Sequence, residues 1–211
     1  MYINEPMKKY LDDTASGEPT PGGGSVAALV GALGAALTSM VCNFTVGKEK
    51  YKDVEAEVAE ILSKAEELRG DLAELMQTDT EAYSQVSAAY GMPRKSSQEK
   101  KARTAAIQEA LKAALEIPLK AAMRSYDVLK LNESLVDKGN SNLISDVGVA
   151  VALAESALQS AALNVEINLV SIKDEEFCKD IREKLDPIVA EGTKIKAEVW
   201  EKVMKAIKRE T

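Results

Sequence analysis

Residues 25–46 read SVAALVGALGAALTSMVCNFTV, an almost unbroken apolar run without a single charge. Ala28, Ala32 and Ala36 recur every four residues, as do Ala27, Gly31 and Ala35. Two adjacent ridges of small side chains therefore run along one helix and let neighbouring helices approach closely. The run is long enough to raise the question of a membrane span. Thr38, Ser39, Asn43 and Thr45 interrupt its second half, however, no aromatic belt flanks it, and the surrounding sequence is amphipathic. The reading is a central helix of a soluble bundle, buried on most sides. Immediately before it stands EPTPGGGS, residues 18–25, whose prolines and consecutive glycines cannot be regular structure and mark a built loop.

Working outward, Asn4 can cap a short helix with Pro6 in its first turn, running to about Ser16. From Asp53 to Tyr90 one stripe persists: Val54, Val58, Ile61, Ala65, Leu68, Leu72, Leu75, Asp79, Ala82 and Val86, spaced by three and four. A carboxylate thus falls on a core position. Gly91-Met92-Pro93 ends that helix, and Ser96 with Glu99 forms a capping box for the next, which the pattern kinks or breaks near Pro118 and closes at Gly139. A polar loop, residues 140–146, leads into a second apolar helix from Val147 to about Val170. Asp174 caps a C-terminal amphipathic region interrupted at Pro187. With no β-type alternation anywhere, the expectation is one all-α domain over residues 1–211, a bundle of long antiparallel helices with two strongly apolar central ones.

Composition narrows the chemistry. The net charge of −7 gives no basic field for a nucleic acid. The chain has no His, which excludes Ser/His and Cys/His nucleophile systems and His-ligated zinc, so acid/base work falls to carboxylates, Lys, Tyr or Cys. Cys42 and Cys178 have no neighbouring thiol and read as buried and reduced, not as a metal site. Residues 1–11 lack a basic flank followed by an apolar stretch, so a cytoplasmic protein is expected.

Several groups could carry function. Pro21-Gly22-Gly23-Gly24-Ser25 at a helix start can cradle an anion with its backbone N–H groups, or can be a turn closed by a Ser cap. Asp79 on a core stripe is either a carboxyl held in the right range for proton transfer or a paired carboxylate at the stripe edge. Asp146, at a helix start, reads as a cap. Ser156, Ser160, Asn164 and Asn168 form one polar stripe, either an inter-helix hydrogen-bond ladder or amides aimed at a heterocycle's polar edge. Lys48, Lys50 and Lys52 form a solvated charge run, with a role in holding an acidic tail left open.

Together, Thr20-Pro21-Gly22-Gly23-Gly24-Ser25-Val26-Ala27, Asp79-Thr80-Glu81-Ala82-Tyr83, residues 139–146 (GNSNLISD) and Asn164-Val165-Glu166-Ile167-Asn168-Leu169 resemble the cyclodeaminase family. Its members occur as the C-terminal domain of formiminotransferase-cyclodeaminase and as free-standing bacterial enzymes. The resemblance implies an all-α homodimer or larger assembly, acting at the carbon between N5 and N10 of tetrahydrofolate as a methenyltetrahydrofolate cyclohydrolase, a formiminotetrahydrofolate cyclodeaminase, or both. It implies Asp79 as the catalytic acid/base and a folate site drawing on Pro21, Gly22, Gly23, Gly24, Ser25, Asn142, Asp146, Asn164 and Asn168. The folate is the substrate, and no metal, separate cofactor, nucleic acid or membrane is expected. The glycine loop is expected to take the acidic part of the folate. The competing expectation is a non-enzymatic oligomeric bundle whose glycine loop is a hinge.

Overall fold

The computed structural model describes residues 2–208, so Met1 and residues 209–211 of the expected domain lie outside the described residues. Those described form helices α1 (Met7–Thr14), α2 (Gly23–Asn43), α3 (Glu55–Gly91), α4 (Ser97–Lys138), α5 (Ile144–Leu169) and α6 (Glu175–Lys208), and no strand. Short 3-10 turns cover Tyr2–Asn4, Glu49–Val54 and Ser141–Leu143. The all-α bundle is as the sequence reads.

Helix α2 lies among α3, α4 and α5, and its small residues explain why. A Cβ on Gly31 would stand 2.8 Å from Ser125 Oγ of α4, and one on Gly34 would stand 3.1 Å from the Ala150 carbonyl of α5. Larger side chains would force the helices apart and lose the dispersion contacts of a close-packed core. Helix α5 runs antiparallel to α2. Asn164 faces Gly23 at one end, Ala150 and Ala154 face Gly34 in the middle, and Asn140, just before α5, donates its N–H to Thr45 Oγ1 at the other. Fully buried Asn132 of α4 donates to Thr38 Oγ1 of α2 at 2.8 Å, which ties these two helices with a specific polar contact. Helix α6 closes the outer face of α4 and α5 through Ile181, Leu185, Ile195, Val199 and Val203.

Four local expectations need correction. Pro118 does not break its helix: α4 continues from Ser97 to Lys138. The proline loses only the bond to the Ala114 carbonyl, and burial of Leu115, Pro118 and Leu119 offsets that loss. Pro187 likewise sits inside continuous α6. Asn4 ends a 3-10 turn and does not cap α1, whose cap position is Pro6. Helix α5 begins at Ile144, three residues before the apolar pattern does. By contrast, the Ser96–Glu99 capping box is present in both halves, and Asp174 Oδ1 accepts the Phe177 N–H at 3.1 Å.

Candidate active site

The site begins at the first turn of α2. Gly22 is extended and supplies no side-chain cap, so the leading N–H groups of the helix have no intrahelical acceptor. Ser25 is not the cap either. Its Oγ donates to the Met76 carbonyl of α3 at 2.7 Å, and its backbone N–H lies near enough to the Asp79 carboxylate to favour the charged form. Helix α3 therefore presents the Asp79 carboxylate to the N-terminus of α2, where the helix dipole favours an anion. Contact is so close that a Cβ on Gly24 would stand 2.2 Å from Asp79 Oδ1. Only glycine leaves room for this carboxylate.

Around Asp79 opens a cleft of about 300 Å³, whose lining includes Gly22, Gly23 and Gly24, Asp79 and Tyr83 of α3, and Asn164 and Asn168 of α5, with Ala114 and Ile167 among its apolar residues. The polar stripe is not an inter-helix ladder. Asn164 Nδ2 donates to the Ser160 carbonyl and Asn168 Nδ2 to the Asn164 carbonyl, each at 2.8 Å on its own helix. Each amide is thereby held at the cleft wall with its side-chain oxygen left to receive a ligand donor. Tyr83 is a site residue that the sequence reading missed, although its place four residues after Asp79 puts it on the same helix face.

Burial pushes the Asp79 carboxyl above its ordinary value of 3.8, with the Ser25 N–H pulling the other way. This is the direction a proton-transfer group needs. Burial also pushes the Cys42 thiol up to about 12, which removes it as a nucleophile. Neither Lys nor Arg lines the cleft. The anion at the glycine loop is thus the protein's own Asp79, and the electrostatics do not match the expected seat for an acidic tail.

Of the other expected site residues, Pro21 and Ser25 are buried supports and do not line the cleft. Asn142 and Asp146 are elsewhere. They flank the start of α5, where Asn140 contacts Phe44 and Thr45 at the far end of α2, and 18 residues of helix put Asp146 about 27 Å from Asn164. Asp146 is in the first turn of α5 and is not its cap. Lys50 is at that same distant end, donating to Ser141 Oγ, and Lys52 pairs with Glu49. A larger groove between α3 and α4, about 500 Å³, is lined by charges several of which pair with one another, including Lys64 with Glu60 and Lys138 with Glu57. It offers no comparable convergence of groups.

Residues 6–187 match the family model described as Formiminotransferase-cyclodeaminase. The chain belongs to this family. It is 45% identical to a methenyltetrahydrofolate cyclohydrolase from Methylorubrum extorquens, over 96% of this chain and 98% of that protein. It is 30% identical to a formimidoyltransferase-cyclodeaminase from Rattus norvegicus over 90% of this chain, spanning only 35% of that longer protein. The crystal structure of a formiminotetrahydrofolate cyclodeaminase from Thermotoga maritima superposes with a TM-score of 0.83 at 35% identity, covering 99% of this chain and 98% of that one. Membership of the formiminotransferase-cyclodeaminase family sets the non-enzymatic bundle aside.

Proposed function

We propose that this enzyme of folate one-carbon metabolism is a methenyltetrahydrofolate cyclohydrolase that uses Asp79 as its acid/base. The observation that carries the reading is the Asp79 carboxyl, its pKa raised by burial, set against the glycine turn in a cleft of about 300 Å³ whose wall also carries the outward-facing amides of Asn164 and Asn168. Near full-length similarity to a cyclohydrolase favours that reaction over its cyclodeaminase counterpart.

In the proposed reaction a water attacks the methenyl carbon between N5 and N10 while Asp79 takes its proton. The tetrahedral intermediate then collapses as the carbon–N5 bond breaks: Asp79 returns the proton to N5 while the remaining hydroxyl proton is released to solvent, giving 10-formyltetrahydrofolate. Before attack, the carboxylate also stabilises the cationic amidine. A cleft with one anion and no cation suits that cation and its heterocycle better than the glutamate tail. Asn164 and Asn168 accept from the pterin edge, Gly23 and Gly24 approach it with backbone N–H groups, and Tyr83 stacks on it. Cyclodeamination is the second reading, favoured by the match to the Thermotoga structure. There N10 attacks a 5-formimino carbon, ammonia leaves, and the same carboxylate moves the protons.

The enzyme also works as a homodimer in this reading. Val149, Leu163, Ile167 and Val170 form an uncharged outward stripe on α5, with Leu163, Ile167 and Val170 being 73%, 66% and 78% exposed. Its middle residues, Ser156 and Ser160, allow a second α5 to cross closely. An antiparallel crossing there carries the partner's Asn142 and the partner's Asp146 toward the Asp79 end of this chain, which gives both a place at the folate. The proposed setting is cytoplasmic. Parallel assays of the purified chain with 5,10-methenyl- and 5-formiminotetrahydrofolate test the assignment. Ring opening well above the spontaneous rate, with little ammonia release, is expected. Faster ammonia release would install the second reading, and neither activity would overturn both.

A further inference from the structure

Helix α1 contributes one buried residue to the whole fold, Tyr10, which is 4% exposed. The remaining large side chains of the helix, Met7 and Leu11, face outward. A helix attached by a single aromatic anchor ordinarily needs that anchor only for its apolar area. Tyr10 is different because of where its hydroxyl goes. It meets Ser25 Oγ at 3.0 Å, and Ser25 Oγ is 2.7 Å from the Met76 carbonyl. The direction of these bonds follows from proton counting. A carbonyl only accepts, so the single Ser25 hydroxyl proton goes to Met76, and the proton between Tyr10 and Ser25 belongs to the phenol. Burial, which pushes the Tyr10 phenol up, keeps that donor protonated.

Resting on Asp79 as the acid/base, we infer that Tyr10 is a positioning residue for it: the phenol fixes Ser25 and with it the first turn of α2, against which the Asp79 carboxylate is packed at Gly24. Ser25 then grips α3 by its hydroxyl at Met76, one turn before Asp79, and its N–H favours the charged form of that carboxylate. Tyr10 closes the chain from behind, out of reach of the cleft lining. It touches no substrate in this arrangement and acts wholly through Ser25. Its hydroxyl sets how firmly the first turn of α2 and the Asp79 turn of α3 are locked, which decides the angle the carboxylate presents to the reacting carbon. Because the phenol donates to an oxygen that itself donates onward, the two bonds polarise one another, and removing the first weakens the second.

Tyr10→Phe keeps the ring and its edge-on packing against Tyr2, whose centroid lies 5.2 Å away. It should lower kcat about fivefold to tenfold, the worth of one hydrogen bond, with KM changed less than twofold. Ser25→Ala removes the same link, so Tyr10→Phe/Ser25→Ala should lose no more than Ser25→Ala alone. Tyr2→Phe is the control for looser attachment of α1. It removes the bond from Tyr2 to Asp13 without touching Ser25 and should leave kcat unchanged. A Tyr10→Phe variant with the parent kcat overturns the inference, and so does additive loss in the double variant or an equal loss in Tyr2→Phe. Asp79→Asn, assayed alongside, separates the levels: if it remains active the site reading itself fails, whereas a dead Asp79→Asn with an unaffected Tyr10→Phe removes only the positioning role.

Discussion

Asp79 Oδ1 lies 2.2 Å from the point where Gly24 would carry a Cβ, so this carboxylate fills the space that the absence of a side chain creates. The neighbouring Gly23 is less confined, with the nearest atom to its Cβ position being Asn164 Nδ2 at 3.4 Å. Glycine is thus a steric requirement of the acid/base group at one position and a looser one at the next.

The contrast makes a paired prediction. Gly24→Ala pushes the carboxylate out of place and should lower kcat by about a hundredfold, the order expected for a misplaced reacting group. Gly23→Ala meets only ordinary contact with an amide that can give slightly, and should act mainly on KM. Comparable kcat values for the two variants, both shown folded by circular dichroism, would mean that the Asp79–Gly24 contact does not matter to turnover.

A second prediction concerns the uncharged stripe on α5. Leu163 and Val170 are exposed in the single chain and lie outside the cleft lining, so a charge at either costs little there but is costly once a second copy covers it. Leu163→Glu/Val170→Glu should convert a dimer to a monomer in light scattering, with folate binding weakened because the partner's Asn142 and the partner's Asp146 depart with the partner. A parent protein that is monomeric at micromolar concentration would sink the dimer, and a monomeric variant with intact binding would remove the partner from the site.

How much of this was legible in the sequence follows the range of each interaction. The period-3.6 stripe of α3 marks Val58, Ile61, Ala65, Leu68 and Leu72 correctly, because burial of one helix face writes itself into local spacing. At the Asp79 turn the buried position moves to Met76, since α3 there faces the first turn of α2 and a cleft on different sides. Proline chemistry misleads at Pro118 and Pro187, where packing holds a helix across a missing bond. The separation of Asn142 and Asp146 from Asp79 is invisible in sequence order, because it depends on α5 running antiparallel to α2. The Tyr10–Ser25–Met76 chain is equally hidden, since it joins three elements that no local period connects.

The last prediction separates the chemistry of Asp79 from its cost to the fold. Its folded pKa is raised above the ordinary 3.8, so the unfolded chain ionises first as pH rises. Over that window the folded state holds more protons, and stability falls with rising pH until the folded pKa is passed. Asp79→Asn has no proton to lose. Its stability relative to the parent should therefore increase as pH rises from near 4 through the raised pKa and then level off, read as a widening gap in denaturant midpoints. Its turnover should fall by at least about a hundredfold with folate binding largely kept, because the amide preserves shape but cannot take a proton from water. The parent's kcat/KM should decline on the acid side, with an inflection above 3.8, as Asp79 loses its base form. A folded Asp79→Asn that binds folate and turns over near the parent rate would falsify the role of this carboxylate. Equal pH dependence of stability in the two proteins would show that burial does not raise its pKa.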